Sequence, residues 1–180
     1  MTPSPLTGRG LSLWWIPPQG LSERLQGLID ALAGRLGSPS FAPHVTVEGG
    51  LSGHPEELIA ALSAAPGART SPRLRQVAIS TGEAWNHLLA VDMERTEALT
   101  TARVELLLAL GRTVAPGGWR PHLSLAYGTL DEEKRRAMAE QLKLELPPFH
   151  PIALALVDTR GPVSGWWELY RWPLAATPDP

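Results

Sequence analysis

The chain has 180 residues and a mass of 19.4 kDa, a size for one domain or two small lobes sharing a core. With 43% apolar and 19% charged residues it is not disordered throughout. A formal charge of −2 excludes a generally basic surface for long nucleic acid, though not a local cationic pocket for one phosphate. There is no cysteine, which removes disulfide frameworks, thiol nucleophiles, thiolate zinc sites and iron–sulfur clusters.

In chain order, Leu11 to Ile16 reads as a strand, closed by Pro17-Pro18 and too short to span a membrane. Leu21, Leu25, Leu28, Ile29, Leu32 and Leu36 then recur at helical spacing, with Ser22 placed to cap the N-terminus. Phe41 to Val47 reads as a strand ended by Gly49-Gly50, and Pro55 to Ala65 as a helix with proline in its first turn. Arg73 to Ser80 and His87 to Met93 read as strands joined around Thr81-Gly82-Glu83. Leu99, Ala102, Leu106 and Leu110 share one face of a helix over Thr96 to Leu110. Trp119 to Tyr127 is expected as a strand, and Thr129-x-x-Glu132 as a capping box opening a helix to Leu142. His150 to Val157 and Gly165 to Leu174 close the chain as strands. Each half thus holds helix, strand with a Pro-His start, helix, strand, strand. This predicts an α+β class with largely antiparallel pairing, because short loops join neighbouring strands. No signal-peptide pattern is visible, so a soluble, cytoplasmic protein is expected, with poorly ordered ends at 1–9 and 175–180.

One internal similarity carries chemistry. Phe41-Ala42-Pro43-His44-Val45-Thr46-Val47 matches Trp119-Arg120-Pro121-His122-Leu123-Ser124-Leu125, 78 residues on (122 − 44). On a strand, residues i and i+2 share a face, so His44 points with Thr46 and His122 with Ser124. If the halves pack about a pseudo-twofold axis, two imidazoles and two hydroxyls converge in one cleft. Two imidazoles can act as base and acid on opposite sides of a phosphorus atom near neutral pH without metal. The hydroxyls can donate to the non-bridging oxygens as charge develops.

These paired His-x-Thr/Ser-x tetrapeptides resemble the signature of the 2H phosphoesterase superfamily. Ser12-Leu13-Trp14, Ile79-Ser80-Thr81-Gly82 and the run to Tyr127 are similar to its cyclic phosphodiesterase branch, and the similarity runs from about Leu11 to Leu174. The resemblance implies one bilobal 2H phosphoesterase-like domain over 1–180, with two antiparallel sheets facing across a cleft and helices outside. It implies that His44 and His122 are catalytic and that Thr46 and Ser124 bind phosphate. Tyr127 would position the attacking water, and Trp14 would lie beside the substrate. The implied activity is hydrolysis of a small cyclic phosphodiester, a nucleoside 2′,3′-cyclic phosphate or ADP-ribose 1″,2″-cyclic phosphate, by a monomer without cofactor. By family analogy His122 is the base and His44 the acid. An alternative is an RNA-processing member acting on 2′–5′ linkages or RNA ends, and a third reading is a non-catalytic nucleotide-binding module.

The remaining candidates read more plainly. Trp14 is either a stacking platform or a core indole, while Trp166, Trp167 and Trp172 read as core and sheet-face residues. His54 reads as a surface loop residue; His87 and His150 have no motif context. The five histidines show no HExxH spacing, so no metal site is expected. Arg120 shares the face of His122 and is within reach of a phosphate there.

Overall fold

The computed structural model describes residues 10–114 and 118–175, so the expectation for the two ends falls almost wholly outside the described residues. The elements are β1 (Leu11–Ile16), α1 (Gln19–Leu36), β2 (Val45–Leu51), α2 (Pro55–Ala64), β3 (Gln76–Ser80), β4 (Leu89–Met93), α3 (Glu97–Ala109), β5 (His122–Ala126), α4 (Glu132–Gln141), β6 (Ala153–Asp158) and β7 (Trp167–Pro173).

Local chemistry explains most boundaries. The helix α1 buries Leu25, Ile29, Leu32 and Ala33, and stops at Gly37, whose φ of 62° supplies a left-handed cap. It begins at Gln19, before the expected cap: the Ser22 hydroxyl donates instead to the Pro17 carbonyl at 3.0 Å. Thr96 caps α3 by accepting from the Leu99 N–H at 3.1 Å. The expected capping box at Thr129 is not the cap of α4. Asp131 takes that place, accepting from the Lys134 N–H at 2.9 Å with Glu132 and Glu133 in the first turn. Both motif strands start later than expected, at Val45 and His122, after the prolines that cannot donate to a ladder. Gly49-Gly50 does not end β2 either. The strand runs on to Leu51 through a register shift, with Gly50 at φ 66°.

All seven strands form one antiparallel sheet in the order β3-β4-β5-β2-β1-β6-β7. Exchanging β1, β2 and β3 for β4, β5 and β6 reverses the first six positions of that order, so the repeat unit is strand-helix-strand-helix-strand, and β7 stands outside it. The two expected sheets are the two halves of this ladder. They meet at one register pair, Val45↔Leu123 between β2 and β5. Pro43 and Pro121, each two residues before that pair, have no N–H with which to extend the seam.

One face of the sheet is the core. Leu13, Trp15, Val45, Val47, Leu89, Val91, Leu123, Leu125, Leu154 and Leu156 pack there with Leu25, Ile29, Leu99 and Leu106 of the helices. Each such side chain contributes roughly 1.5–3 kcal/mol by leaving water. The alternate residues occupy the other face, where Trp14, Ala155 and Val157 form a small cluster edged by Ile16 and Trp166. Among the described residues no helix is long and apolar enough to cross a membrane.

Candidate active site

The seam between β2 and β5 places the repeated motifs. Val45 and Leu123 are paired and wholly buried on the core side. Counting outward along antiparallel strands sets His44 opposite Ser124 and Thr46 opposite His122, all four on the other face. The pseudo-twofold axis therefore passes through the Val45–Leu123 pair, with one imidazole and one hydroxyl on each strand around it. The two histidines are near enough for the charge on His122 to disfavour protonation of His44.

Both rings are held in the same way. Nδ1 of His44 lies 2.7 Å from the Ala42 carbonyl, and Nδ1 of His122 lies 2.9 Å from the Arg120 carbonyl. A carbonyl only accepts, so Nδ1 carries the proton in each ring and Nε2 is left for proton transfer. The i to i−2 geometry comes from the extended Pro-His start of each strand, which turns the preceding carbonyl back over the ring.

The surroundings of the two rings differ. His44 is 4% exposed and lies flat under Trp14, ring centroids 3.6 Å apart and 9° from parallel. Burial is the main reason that its pKa falls to about 4; the bond to Ala42 opposes the fall and the His122 charge adds to it. His44 is thus neutral at pH 7 with an Nε2 lone pair, and is less open to solvent than the expected cleft residue. His122 is half-buried and has a third imidazole beside it, His87, at 4.5 Å between centroids. The Ser80 hydroxyl donates to Asp92 Oδ1 at 2.9 Å, so it accepts from His87 Nε2–H at 3.1 Å. Arg120 completes the chain with a 3.1 Å bond to Asp92 Oδ2. Burial, then the His122 charge, lowers the pKa of His87.

The hydroxyls are unequal too. Thr46 is half-buried and lines a cavity together with His122. Ser124 is 5% exposed and donates to the Asn86 carbonyl at 2.9 Å. Tyr127 is buried, stacked on Phe41 at 3.8 Å, and its phenol is hydrogen-bonded to Ser124. Burial keeps the phenol protonated, and the hydrogen bond with Ser124 works against that shift.

The six residues singled out in the sequence therefore gather around one seam. His87, Asp92 and Asn86 join them without a motif of their own, and Ser80 comes from the Ile79-Ser80-Thr81-Gly82 stretch; loop closure and the pairing of β3, β4 and β5 bring all four in. Arg120 is bonded to Asp92 at the rim of the site. Trp166 sits 6.0 Å from Trp14 and 6.1 Å from Tyr127 on the site face. Trp172 is buried as expected, but Trp167 is 59% exposed. His54 precedes α2, and His150 binds the Ser71 carbonyl through Nδ1 at 2.9 Å. Among the described residues no three His, Asp or Glu side chains cluster as a metal site.

Two cavities flank the seam. One, about 480 Å³, is mainly apolar and is lined by Trp14, Pro43, Trp166, Trp167 and Arg171 on the His44 side. The other, about 450 Å³, is mixed in character and is lined by Thr46, His122, Arg103, Arg112 and Trp119.

Comparison with known proteins places this arrangement. The family model of the 2′-5′ RNA ligase superfamily matches residues 17–161. By structure the chain is similar to E. coli LigT complexed with phosphate, with a TM-score of 0.53, 14% identity, and coverage of 95% of this chain and 100% of that one. For E. coli LigT complexed with 3′-AMP the values are 0.56, 16%, 94% and 99%. For a protein described only as a phosphoesterase they are 0.55, 15%, 94% and 99%. At such identities the likeness is one of fold. No curated protein matches the chain by sequence.

Proposed function

This chain belongs to the 2′-5′ RNA ligase superfamily, the 2H phosphoesterases, and we propose that within it the protein hydrolyses a small phosphodiester that includes a ribose 2′ oxygen. The substrate class is a nucleoside 2′,3′-cyclic phosphate or ADP-ribose 1″,2″-cyclic phosphate. One observation carries this reading: two imidazoles, related by the seam axis, each have Nδ1 held by a backbone carbonyl and Nε2 free. E. coli LigT, of similar fold, is complexed with 3′-AMP in its crystal, which supports a ligand of nucleotide size.

The division of labour follows from burial. Neutral His44 accepts the proton of the attacking water, and His122 protonates the departing ribose oxygen, the reverse of the family analogy. Thr46 donates to a non-bridging oxygen, while Tyr127 and Ser124 hold the wall beside His44. Base, acid and charge-stabilising donors are all side chains of this chain, so the reaction needs no metal.

The test is a panel of adenosine 2′,3′-cyclic phosphate, ADP-ribose 1″,2″-cyclic phosphate and a 2′–5′-linked dinucleotide, with products identified. Turnover of the cyclic compounds supports the reading; hydrolysis of none of the three overturns it. The superfamily match favours a second reading, cleavage of 2′–5′ linkages or RNA ends. Rates that rise with oligonucleotide length would select it.

A further inference from the structure

The pseudo-twofold axis makes two forks where β2 and β5 diverge, and the repeat fills only one of them. At the first, Phe41 stacks on Tyr127 at 3.8 Å and Trp85 closes in at 4.9 Å. At the second, Trp119 stands where the repeat has Phe41, and Gly49 stands where it has Tyr127. The registers agree on this alignment, because Glu48 faces Leu13 as Ala126 faces Leu89. Trp119 has no ring at that position to stack on, and the second fork is the cavity of about 450 Å³ that carries the arginines.

Charge occupies the space instead. Arg103 lies over the Trp119 ring at 4.9 Å and donates to the Val47 carbonyl at 2.9 Å and to Glu48 at 2.6 Å. Both partners of this pair are largely buried, with side chains 14% and 18% exposed. A buried pair of that kind adds little net stability over apolar residues, and the repeat position of Glu48 is a buried alanine, Ala126. Arg112 approaches the same carboxylate only to 3.7 Å and is 40% exposed. Arg120, on the same rim, is bonded to Asp92. Three guanidiniums thus face two carboxylates, and the least engaged cation, Arg112, lines a cavity that opens on Thr46 and His122.

We infer that this open fork is a subsite for a second phosphate group of the substrate, held by Arg112 beside the Arg103–Glu48 pair while the scissile phosphate lies between the histidines. The inference rests on the proposed phosphodiester chemistry and narrows its substrate to one carrying two phosphates. Guanidinium suits the task, since its planar fork meets two phosphate oxygens at once. Arg103, already spent on Val47 and Glu48, keeps the carboxylate away from the incoming anion and is a positioning residue. The second phosphate can come from a 5′-phosphorylated nucleoside or from the neighbouring linkage of an RNA end, which share this chemistry.

Binding to the full chain tests the subsite apart from turnover. Calorimetry at low ionic strength compares adenosine 2′-phosphate with adenosine 2′,5′-bisphosphate and with a dinucleotide ending in a 2′-phosphate. The bisphosphate, the dinucleotide or both are expected to bind roughly tenfold tighter than the monophosphate, the usual weight of a charged hydrogen bond. Arg112→Gln should abolish that ratio and Arg112→Lys should restore part of it. A gain for the bisphosphate alone assigns a terminal phosphate, and a gain for the dinucleotide assigns a diester. Equal affinities, a ratio that survives in Arg112→Gln, or no binding of any of the three overturns the subsite. Equal affinities with intact cyclic phosphate hydrolysis remove the subsite and leave the proposed function. A ratio lost with Arg112 but no hydrolysis does the reverse.

Discussion

Trp14 covers His44 face to face, at 3.6 Å and 9°, so one indole decides how wet one imidazole is. Trp14 comes from β1, where its register partner is Thr46, and this sets the ring over the residue two positions earlier, just ahead of β2. Trp14→Ala is expected to cost about 3–5 kcal/mol, the usual loss for a buried indole. It should also raise the His44 pKa from about 4 toward its ordinary value as water enters. NMR titration of the His44 ring in the variant checks this, and an unmoved midpoint would show that burial under Trp14 is not the cause.

The same depression makes stability depend on pH. The folded pKa of His44 lies below the unfolded one, so the unfolded chain binds more protons between the two values. The contribution is fully present above about 6.5 and is lost as pH falls toward about 4. The loss for this group is on the order of 3 kcal/mol. Urea unfolding at pH 7 and pH 4 should show it in the wild type and show that part missing in His44→Gln. An identical pH dependence in both proteins would contradict it.

For catalysis, His44→Ala and His122→Ala should each lower kcat/KM by about 10²–10⁴. The double variant should lose less than the product, because the two act on one proton-transfer event. A p-nitrophenyl phosphodiester separates the roles, since its leaving group departs without protonation. That substrate should recover much of the rate in His122→Ala and little in His44→Ala; the opposite pattern would restore the family assignment. Activity should persist in EDTA, and its loss with recovery on adding a divalent metal would remove the metal-free mechanism.

The two hydroxyls should not behave alike. Thr46→Val takes a donor from the side of His122 and is expected to raise KM for a cyclic phosphate and lower kcat by roughly tenfold, one hydrogen bond to a charged group. Ser124→Ala unties Asn86 and Tyr127. It should cost about 0.5–1.5 kcal/mol of stability for the hydrogen bond lost, with a smaller effect on KM. Equal kinetic losses at unchanged stability would give Ser124 the same direct phosphate contact as Thr46.

The motifs that meet at the seam were readable in the sequence because they are local. A Pro-His start, alternation on a strand and a repeat 78 residues apart (122 − 44) involve only neighbouring residues and a copy of them. So His44, Thr46, His122 and Ser124 could be named, with the α+β class and most helices. Some boundaries failed for equally local reasons. Asp131 caps α4 through the Lys134 N–H, two residues beyond Thr129, and proline delays the start of β2 and β5.

What only the tertiary structure decided is how unlike the two halves of the site are. Nothing within a few residues of His44 states that Trp14 will lie on it, nor that His87 will stand beside His122 in a chain through Ser80 to Asp92. Those partners are set by strand order and register, which bring residues tens of positions apart to one face. Burial then does what sequence spacing cannot. The dielectric around a ring depends on every neighbour at once, so two identical tetrapeptide patterns yield one imidazole held neutral at pH 7 and one beside a charged network.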